Sequence, residues 1–264
     1  TTQMNAPLFN ASNLRKSFGG IAAVDDVSLC IQAGQVIGLI GPNGAGKTTC
    51  FNLITGLYTP DAGQLAFKGK PYKPASPHHV AQMGLARTFQ NIRLFKSMTA
   101  LENVAVGMHS KTSQGVLGAI LRTPAQRREE IKVQQQAMHW LHYVGIRAYS
   151  NHLAGQLSYG DQRRLEIARA LASEPALLAL DEPAAGMNAT EKLKLRELLL
   201  QIRHDGKSIL LIEHDVKLVM GICDEVTVLD YGKVIAQGTP TQVQQSPAVI
   251  EAYLGGLHHA ESRE

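Results

Sequence analysis

The sequence predicts an α/β fold: a core of short parallel strands and helices, an antiparallel β layer beside it, and a helical segment. Three observations carry this expectation. Apolar runs at Val36–Ile40, at Ser208–Ile212 and within PALLALDEPA (Pro175–Ala184) have the length and continuity of strands buried on both faces. Alternating segments within Leu8–Val36, with a further strand at Gly63–Lys68 after the turn Pro60-Asp61-Ala62-Gly63, supply the antiparallel layer. Apolar residues then recur at helical spacing from Pro124 to Gly145 and again from Leu157 to Ala172.

Bulk properties narrow the function classes. With 264 residues the chain can bury a full core as one large or two small domains. Its 44% hydrophobic and 18% charged residues are ordinary for a globular protein, and a formal charge of +4 is mild. The one basic cluster, Arg122–Arg128, has no aromatic residues interleaved, so no nucleic-acid groove is expected. Such a surface is equally compatible with anionic lipid head groups. Three cysteines, with no CxxC and no histidine at ligand spacing, argue for a reducing compartment. The stretch TTQMNAPLFN lacks the basic and apolar regions of a secretory signal. No apolar run approaches the roughly 18 residues of a membrane span, so any transport role needs a pore from another polypeptide.

In chain order, LFNASNLRKSF and VDDVSLCI are broken by Gly19-Gly20. Phe18, ending the first segment, is either a hydrophobe at a hairpin edge or a stacking surface for a base. Gln35–Leu57 reads as a buried strand, a glycine-rich turn and a helix with Cys50, Leu53/Ile54 and Leu57 on one face, stopped at Gly56. Within it, Gly41-Pro42-Asn43-Gly44-Ala45-Gly46-Lys47-Thr48 matches GxxxxGK[ST]. The bare pattern arises by chance in roughly one chain in a hundred of this length, and the flanking strand and helix remove most such accidents. Glycines let backbone N–H groups approach an anion, and the helix adds the positive end of its dipole. Lys47 would reach the β/γ-phosphates and the Thr48 hydroxyl would ligate Mg²⁺. The core is thus expected to be of the P-loop NTPase class.

Leu85–Gln90 reads as the next core strand. Gln90 at its end is either a ligand contact or a loop residue in water. Thr99 and Glu102 form a capping box. Val116–Leu121 is a short apolar patch that could rest on a partner or a membrane surface, or pack within a helical subdomain. The helix from Pro124 places Val133, Ala137, Trp140 and Val144 on one face and ends at Gly145. Ser158-Tyr159-Gly160 is a small-residue turn before a helix with Leu165, Ala168 and Leu171 on one face. The Ser158 hydroxyl is either a plain N-cap or part of a second phosphate-binding helix terminus.

Asp181 and Glu182 end their strand pointing to different sides. Asp181 could hold Mg²⁺ through its water shell, and Glu182 could orient or deprotonate an attacking water. A purely structural role fits poorly, since an unpaired acidic pair after a buried strand is costly. Asn188 with Glu191 opens a helix facing inward through Leu195, Leu198, Leu199 and Ile202. Ser208–Ile212 runs into Glu213-His214-Asp215, where His214 alone is compatible with a surface or a satisfied core residue. Val226–Leu229 and Lys233–Ala236 form a hairpin around Tyr231-Gly232, and Pro247–Leu254 a closing helix before a polar tail at 255–264.

Taken together and in order, GPNGAGKT, Gln90, LSYGDQ, LLALDEP and His214 resemble the nucleotide-binding domain of ATP-binding-cassette (ABC) proteins, over about Leu8 to Leu254. The resemblance implies one ABC ATP-binding domain over 8–254, with a helical subdomain at about 91–172 inserted in the P-loop core. It implies ATP and Mg²⁺ as cofactors. Gly41–Thr48 (Gly41, Pro42, Asn43, Gly44, Ala45, Gly46, Lys47 and Thr48) and Thr49 would bind phosphates and Mg²⁺, and Phe18 would stack on adenine. Gln90 would contact Mg²⁺ and the attacking water, its loop reporting to a membrane partner. Asp181 would support Mg²⁺, Glu182 would act as general base and His214 would contact the γ-phosphate. Ser158 and Gly160 would serve the ATP held by an opposing subunit.

Two departures stand out. The family's LSGGQ reads LSYGD here, with Tyr159 and Asp161, and its SALD loop reads Ala185-Gly186-Met187-Asn188, where Asn188 can serve as a helix cap. With these variants, LSYGDQRRLEIARAL, LDEPAAGMN, LIEHDVKLVMGICD and VIEAYLG resemble the LivG-type ATPase subunits of bacterial branched-chain amino acid importers. That implies a subunit powering uptake of leucine, isoleucine and valine through two integral-membrane permease subunits. It also implies a second ABC ATPase subunit of LivF type in a heterodimer, a periplasmic substrate-binding protein acting indirectly, and a place on the cytoplasmic face of the inner membrane. The alternatives are an ABC ATPase for another cargo (amides, other amino acids, lipopolysaccharide export) or a nucleic-acid-associated ABC ATPase. The last usually shows a long coiled-coil insertion, zinc-binding cysteines or a second cassette, none of which the sequence contains.

Overall fold

The computed structural model describes residues 6–74, 76–108 and 124–260. Two compact units are present: Thr1–Arg87, Ala176–Ala184 and Lys192–Glu264 make the first, Thr88–Pro175 and Ala185–Glu191 the second. The apolar patch Val116–Leu121 lies outside the described residues.

The first unit opens with a hairpin, β1 (Phe9–Phe18) and β2 (Ile21–Ile31), turning at Gly19-Gly20. Then come β3 (Val36–Ile40), α1 (Lys47–Ile54), β4 (Ala62–Phe67), β5 (Lys70–Tyr72), α2 (Pro77–Gln82) and β6 (Leu85–Arg87). The first sheet is four-stranded and antiparallel, ordered β2-β1-β4-β5. After the second unit the chain returns through β7 (Leu177–Asp181) and α6 (Ala189–His204), whose first residues belong to the second unit. It finishes with β8 (Ser208–Ile212), α7 (Val216–Ile222), β9 (Glu225–Asp230), β10 (Lys233–Gly238), α8 (Pro240–Gln244) and α9 (Pro247–Ala260).

The second sheet is six-stranded, ordered β10-β9-β3-β8-β7-β6, and parallel except for the β9–β10 hairpin. Every residue of β3, β7 and β8 is buried, as continuous apolar runs require when both faces of a sheet are covered. At ~1.5–3 kcal/mol per buried aliphatic or aromatic side chain, these strands hold their own ends in place. Because β3, β7 and β8 are parallel neighbours, the turns after all three leave from one edge.

The second unit is helical: α3 (Ala100–Met108), α4 (Pro124–Tyr143), two short 3₁₀ turns and α5 (Tyr159–Leu171) are described there. Helices α3 and α5 approach closely at Gly107, where a Cβ would lie 2.2 Å from the Arg169 carbonyl oxygen. Asn103, fully buried, fixes the segment ahead of α3 by accepting from Phe95 N–H and donating to the Phe95 and Thr99 carbonyls, each at 3.0 Å. The Thr99–Glu102 capping box forms as expected.

Several expectations need correction. The strand expected at Leu85–Gln90 stops at Arg87, so Gln90 follows it as an exposed loop residue rather than ending it. The reason is a competing set of partners: the Phe89 and Gln90 carbonyls accept from Arg163 and the Phe89 N–H donates to Glu166. On α4 the buried face runs through Ala137 and Leu141, and Val144, just past its end, is buried as well. Trp140 flanks it, half-buried, edge-on to His139 and Tyr143. The closing helix continues to Ala260 instead of stopping at Leu254. The Gly255-Gly256 pair weakens a helix by about 1 kcal/mol per residue without removing a backbone donor. Helix α8, opened by a Thr239–Gln242 capping box, was not anticipated.

Candidate active site

In the first unit, the turn between β3 and α1 is glycine-rich for steric reasons. Gly41 (φ +150°) passes so close to β9 that a Cβ would meet the Leu229 carbonyl oxygen at 2.1 Å. Gly46 (φ +96°) is the N-cap of α1, and a Cβ there would meet the Ala23 carbonyl oxygen at 2.2 Å. Between them Asn43 and Gly44 stand at the surface, Pro42 is half-buried and Ala45 is buried. The first helical bond of α1 runs from Cys50 N–H to Gly46, so the amides of Lys47, Thr48 and Thr49 precede the ladder. No side chain caps this terminus. A cradle that only backbone can line, backed by a helix dipole, fits the phosphates of a nucleotide.

Lys47 is 7% exposed, and its ammonium donates to the Gly41 and Pro42 carbonyls at 2.8 and 2.9 Å. Burial pulls its pKa below the usual lysine value, against the opposing pull of Glu182 and Asp181. The amine is thus held at the cradle by two carbonyls of its own loop. Thr48 is exposed at the start of α1.

Asp181, buried, is the last residue of β7 and pairs in register with Ile212 of β8. Glu182 then leaves the strand with φ +47°, a left-handed conformation that costs a non-glycine residue roughly 1–2 kcal/mol. Its N–H still donates to the Ile212 carbonyl at 2.9 Å, so β8 pins the turn. Glu182 Oε1 lies 3.5 Å from His214 Nδ1.

Between β8 and α7 sits a residue whose role the sequence did not single out. Glu213 is 1% exposed. One carboxylate oxygen accepts from Ala184 N–H at 2.8 Å, the other from His214 N–H at 3.2 Å and Asp215 N–H at 3.4 Å. Burial raises its pKa, opposed by those three amides and by His214. Glu213 therefore ties the segment after Glu182 to the one carrying His214. Its only sequence signal was a carboxylate directly after a buried strand, the same signal that marked Asp181. Asp215 caps α7 at Leu218 N–H and pairs with Lys192 at 2.7 Å.

Phe18 ends β1, 45% exposed, edge-on to Tyr58 with ring centres 5.3 Å apart and the Lys16 ammonium 5.6 Å from its centroid. An aromatic face left to solvent is compatible with stacking on a base.

Gln90, Ser158 and Gly160 lie in the second unit. Ser158 is the N-cap of α5, accepting from Asp161 N–H at 3.2 Å and donating to its carboxylate at 2.8 Å. The cap reading is therefore met. Gly160 is packed under Glu191, whose Oε1 would lie 2.6 Å from a Cβ. Sequence reasoning also missed Arg163 and Glu166, a buried ion pair at 3.1 Å, both side chains 2% exposed, which bonds the backbone around Gln90. The i, i+3 spacing was visible, but not that it faced inward.

Among the described residues no cluster of three or more His, Cys, Asp or Glu could cage a metal ion. The Thr48 hydroxyl follows β3 and the Asp181 carboxylate ends β7 of the same parallel sheet, hard oxygen donors of the kind Mg²⁺ uses beside substrate phosphates.

A phosphate cradle after one buried parallel strand, with a histidine after the adjacent strand and a carboxylate pair at the end of the next, defines a P-loop nucleotide hydrolase. The chain belongs to the ABC transporter family, whose model matches residues 24–185; that of the branched-chain amino acid ATP-binding cassette transporter matches residues 233–259. It is 46% identical to the high-affinity branched-chain amino acid transport ATP-binding protein BraF of Pseudomonas aeruginosa, over 96% of this chain and 99% of that protein. It is 45% identical to the corresponding LivG of Escherichia coli, with the same coverage. A crystal structure of an ABC transporter's ATP-binding cassette in its ADP conformation superposes with a TM-score of 0.82 at 30% identity, covering 94% of this chain and 99% of that one.

Proposed function

We infer that the chain is the ATP-hydrolysing subunit of an importer for branched-chain amino acids, working with separate membrane permeases. The observation carrying the cargo is end-to-end likeness to BraF and LivG, 46% and 45% identical over 96% of the chain. The strand-end cluster supplies the chemistry. In this reading residues 8–254 form a single cassette with a helical subdomain at about 91–172. Among the described residues no helix is long and apolar enough to cross a membrane, which accords with attachment through permeases at the cytoplasmic face.

In this reading the Gly41–Thr49 amides and Lys47 bind the ATP phosphates, and Phe18 stacks on adenine. Mg²⁺, when bound, neutralises charge developing on the phosphates; Thr48, Asp181 and Gln90 are its proposed holders. Glu182 takes the proton of the attacking water, and His214, close to that carboxylate, contacts the γ-phosphate. The pinned, left-handed turn supports this role, since it fixes the carboxylate before substrate arrives. Ser158 and Gly160 stand at a second helix terminus, proposed to serve the nucleotide of a second ATPase subunit of LivF type, with a periplasmic binding protein acting upstream.

Hydrolysis by the chain co-purified with its permease subunits tests the reading. Turnover that prefers ATP and needs a divalent cation is the expected result. Preference for GTP, or failure to co-purify with permeases, would overturn it.

A further inference from the structure

Two residues that depart from the family pattern, Tyr159 in LSYGD and Gly186 in AAGMN, fall in the second unit and touch each other. A Cβ at Gly186 would come within 3.2 Å of Tyr159 Cε1, and Gly186 has φ +75°. The positive φ favours glycine at 186, and a Cβ there would also crowd the edge of the Tyr159 ring.

Tyr159 also reaches Arg163, the bulkiest fully buried side chain among the described residues. Arg163 Nη2 donates to the Tyr159 hydroxyl at 3.1 Å and to the Gln90 carbonyl, and its guanidinium lies 5.5 Å from the Tyr159 ring centre. Nη1 donates to the Phe89 carbonyl at 2.6 Å and to Glu166 Oε2 at 3.1 Å. Glu166 Oε1 accepts from Phe89 N–H at 3.3 Å and Arg93 N–H at 3.5 Å. A buried ion pair is weak evidence of net stabilisation, so its presence calls for another account. Here the two charges bond one loop at several backbone groups, and the planar fork of an arginine suits that geometry where a lysine does not.

We propose that Tyr159 and Arg163 are positioning residues for ATP hydrolysis, locking the Gln90 loop and the 185–188 turn to the N-terminus of α5. The proposal rests on the reading of Gln90 as a residue of the hydrolytic site. Gln90 would then keep its orientation through its own backbone, and the Ser158 turn would move with it as one body.

The test compares Tyr159→Phe, Arg163→Lys and Gln90→Ala in the intact protein with its partner subunits, by steady-state ATP kinetics and amide hydrogen exchange. Tyr159→Phe keeps the ring against Gly186 and removes only the hydroxyl. It should lower kcat by about 2–10-fold, part of the worth of a hydrogen bond from a charged guanidinium, with KM for ATP nearly unchanged. Exchange at Phe89 and Arg93 should quicken, more so in Arg163→Lys. In a Gln90→Ala background, Tyr159→Phe should add less than about twofold, because coupled residues are non-additive. Unchanged exchange, or an equal loss of kcat in both backgrounds, would overturn the proposal. The two readings fail differently. Wild-type turnover in Gln90→Ala defeats the role of Gln90, whereas a slow Gln90→Ala beside a normal Tyr159→Phe defeats the clamp.

Discussion

The strand-end cluster of the first unit and the turns of the second are held by different means. Asp181 belongs to a buried strand, and the Lys47, Glu182 and His214 segments each follow one directly. Their positions are set by the sheet, and losing one polar contact leaves the scaffold standing. The Gln90 loop leaves only a three-residue strand at the sheet edge, and the Ser158 turn follows a 3₁₀ turn rather than a strand. Single buried polar groups fix them, above all Arg163 and Glu166. Substitutions in the first region should therefore change chemistry with little change in fold. In the second, small changes should alter both.

The largest effect is expected at Glu182. Glu182→Gln should cut ATP turnover by about 10²–10⁴-fold while nucleotide affinity stays close to wild type, read by phosphate release and nucleotide titration. Normal turnover would remove the general base. Lys47→Ala should weaken ATP binding by roughly 10–100-fold, the worth of a charged hydrogen bond. Unchanged affinity in equilibrium titration would count against the cradle.

Glu213→Ala probes whether the first region truly stands without its polar ties. It leaves the amides of Ala184, His214 and Asp215 without their carboxylate in a buried place, and should cost ~1–3 kcal/mol in urea unfolding. A loss above that range would mean that the sheet alone does not set the site. Ser158→Ala should cost about 1 kcal/mol through its cap. A fall in turnover of the assembled dimer beyond that amount marks the second, nucleotide-facing role; a proportionate fall leaves Ser158 a cap.

The smallest effect concerns Lys192 and Asp215. The hydrogen bond from Lys192 holds the Asp215 carboxyl below its ordinary range and raises the lysine. A carboxylate depressed on folding contributes stability above its unfolded pKa, about 3.9, and loses it as pH falls. The stability difference between wild type and Lys192→Met should stay flat, at no more than ~1 kcal/mol, from about pH 5 to 8, and shrink below about pH 4. A difference that grows with acid would reverse the assignment.

The same contrast decides what could be read from the residues alone. VIGLI, LLALD and SILLI announce buried strands by composition, and GPNGAGKT announces a cradle by the glycines it needs, so the strand-end cluster is legible in the sequence. The end of β6 was misjudged because nothing in LARTFQ reveals that Arg163, some seventy residues on, takes the carbonyls a strand would otherwise use. Glu213 looked like one acid among several, since burial and three amide partners are properties of packing rather than of local pattern. Tyr159 registered only as a departure from a family pattern. Its partner Gly186 registered as a second, unrelated one, because contact between them is a tertiary fact.

The most direct test of the account is uptake of labelled leucine in a strain deleted for its importer ATPase and carrying the matching permease subunits. The wild-type chain should restore uptake and Glu182→Gln should not, although both assemble. Uptake at the wild-type level with Glu182→Gln, or none from a wild-type chain that assembles and hydrolyses ATP, would contradict it.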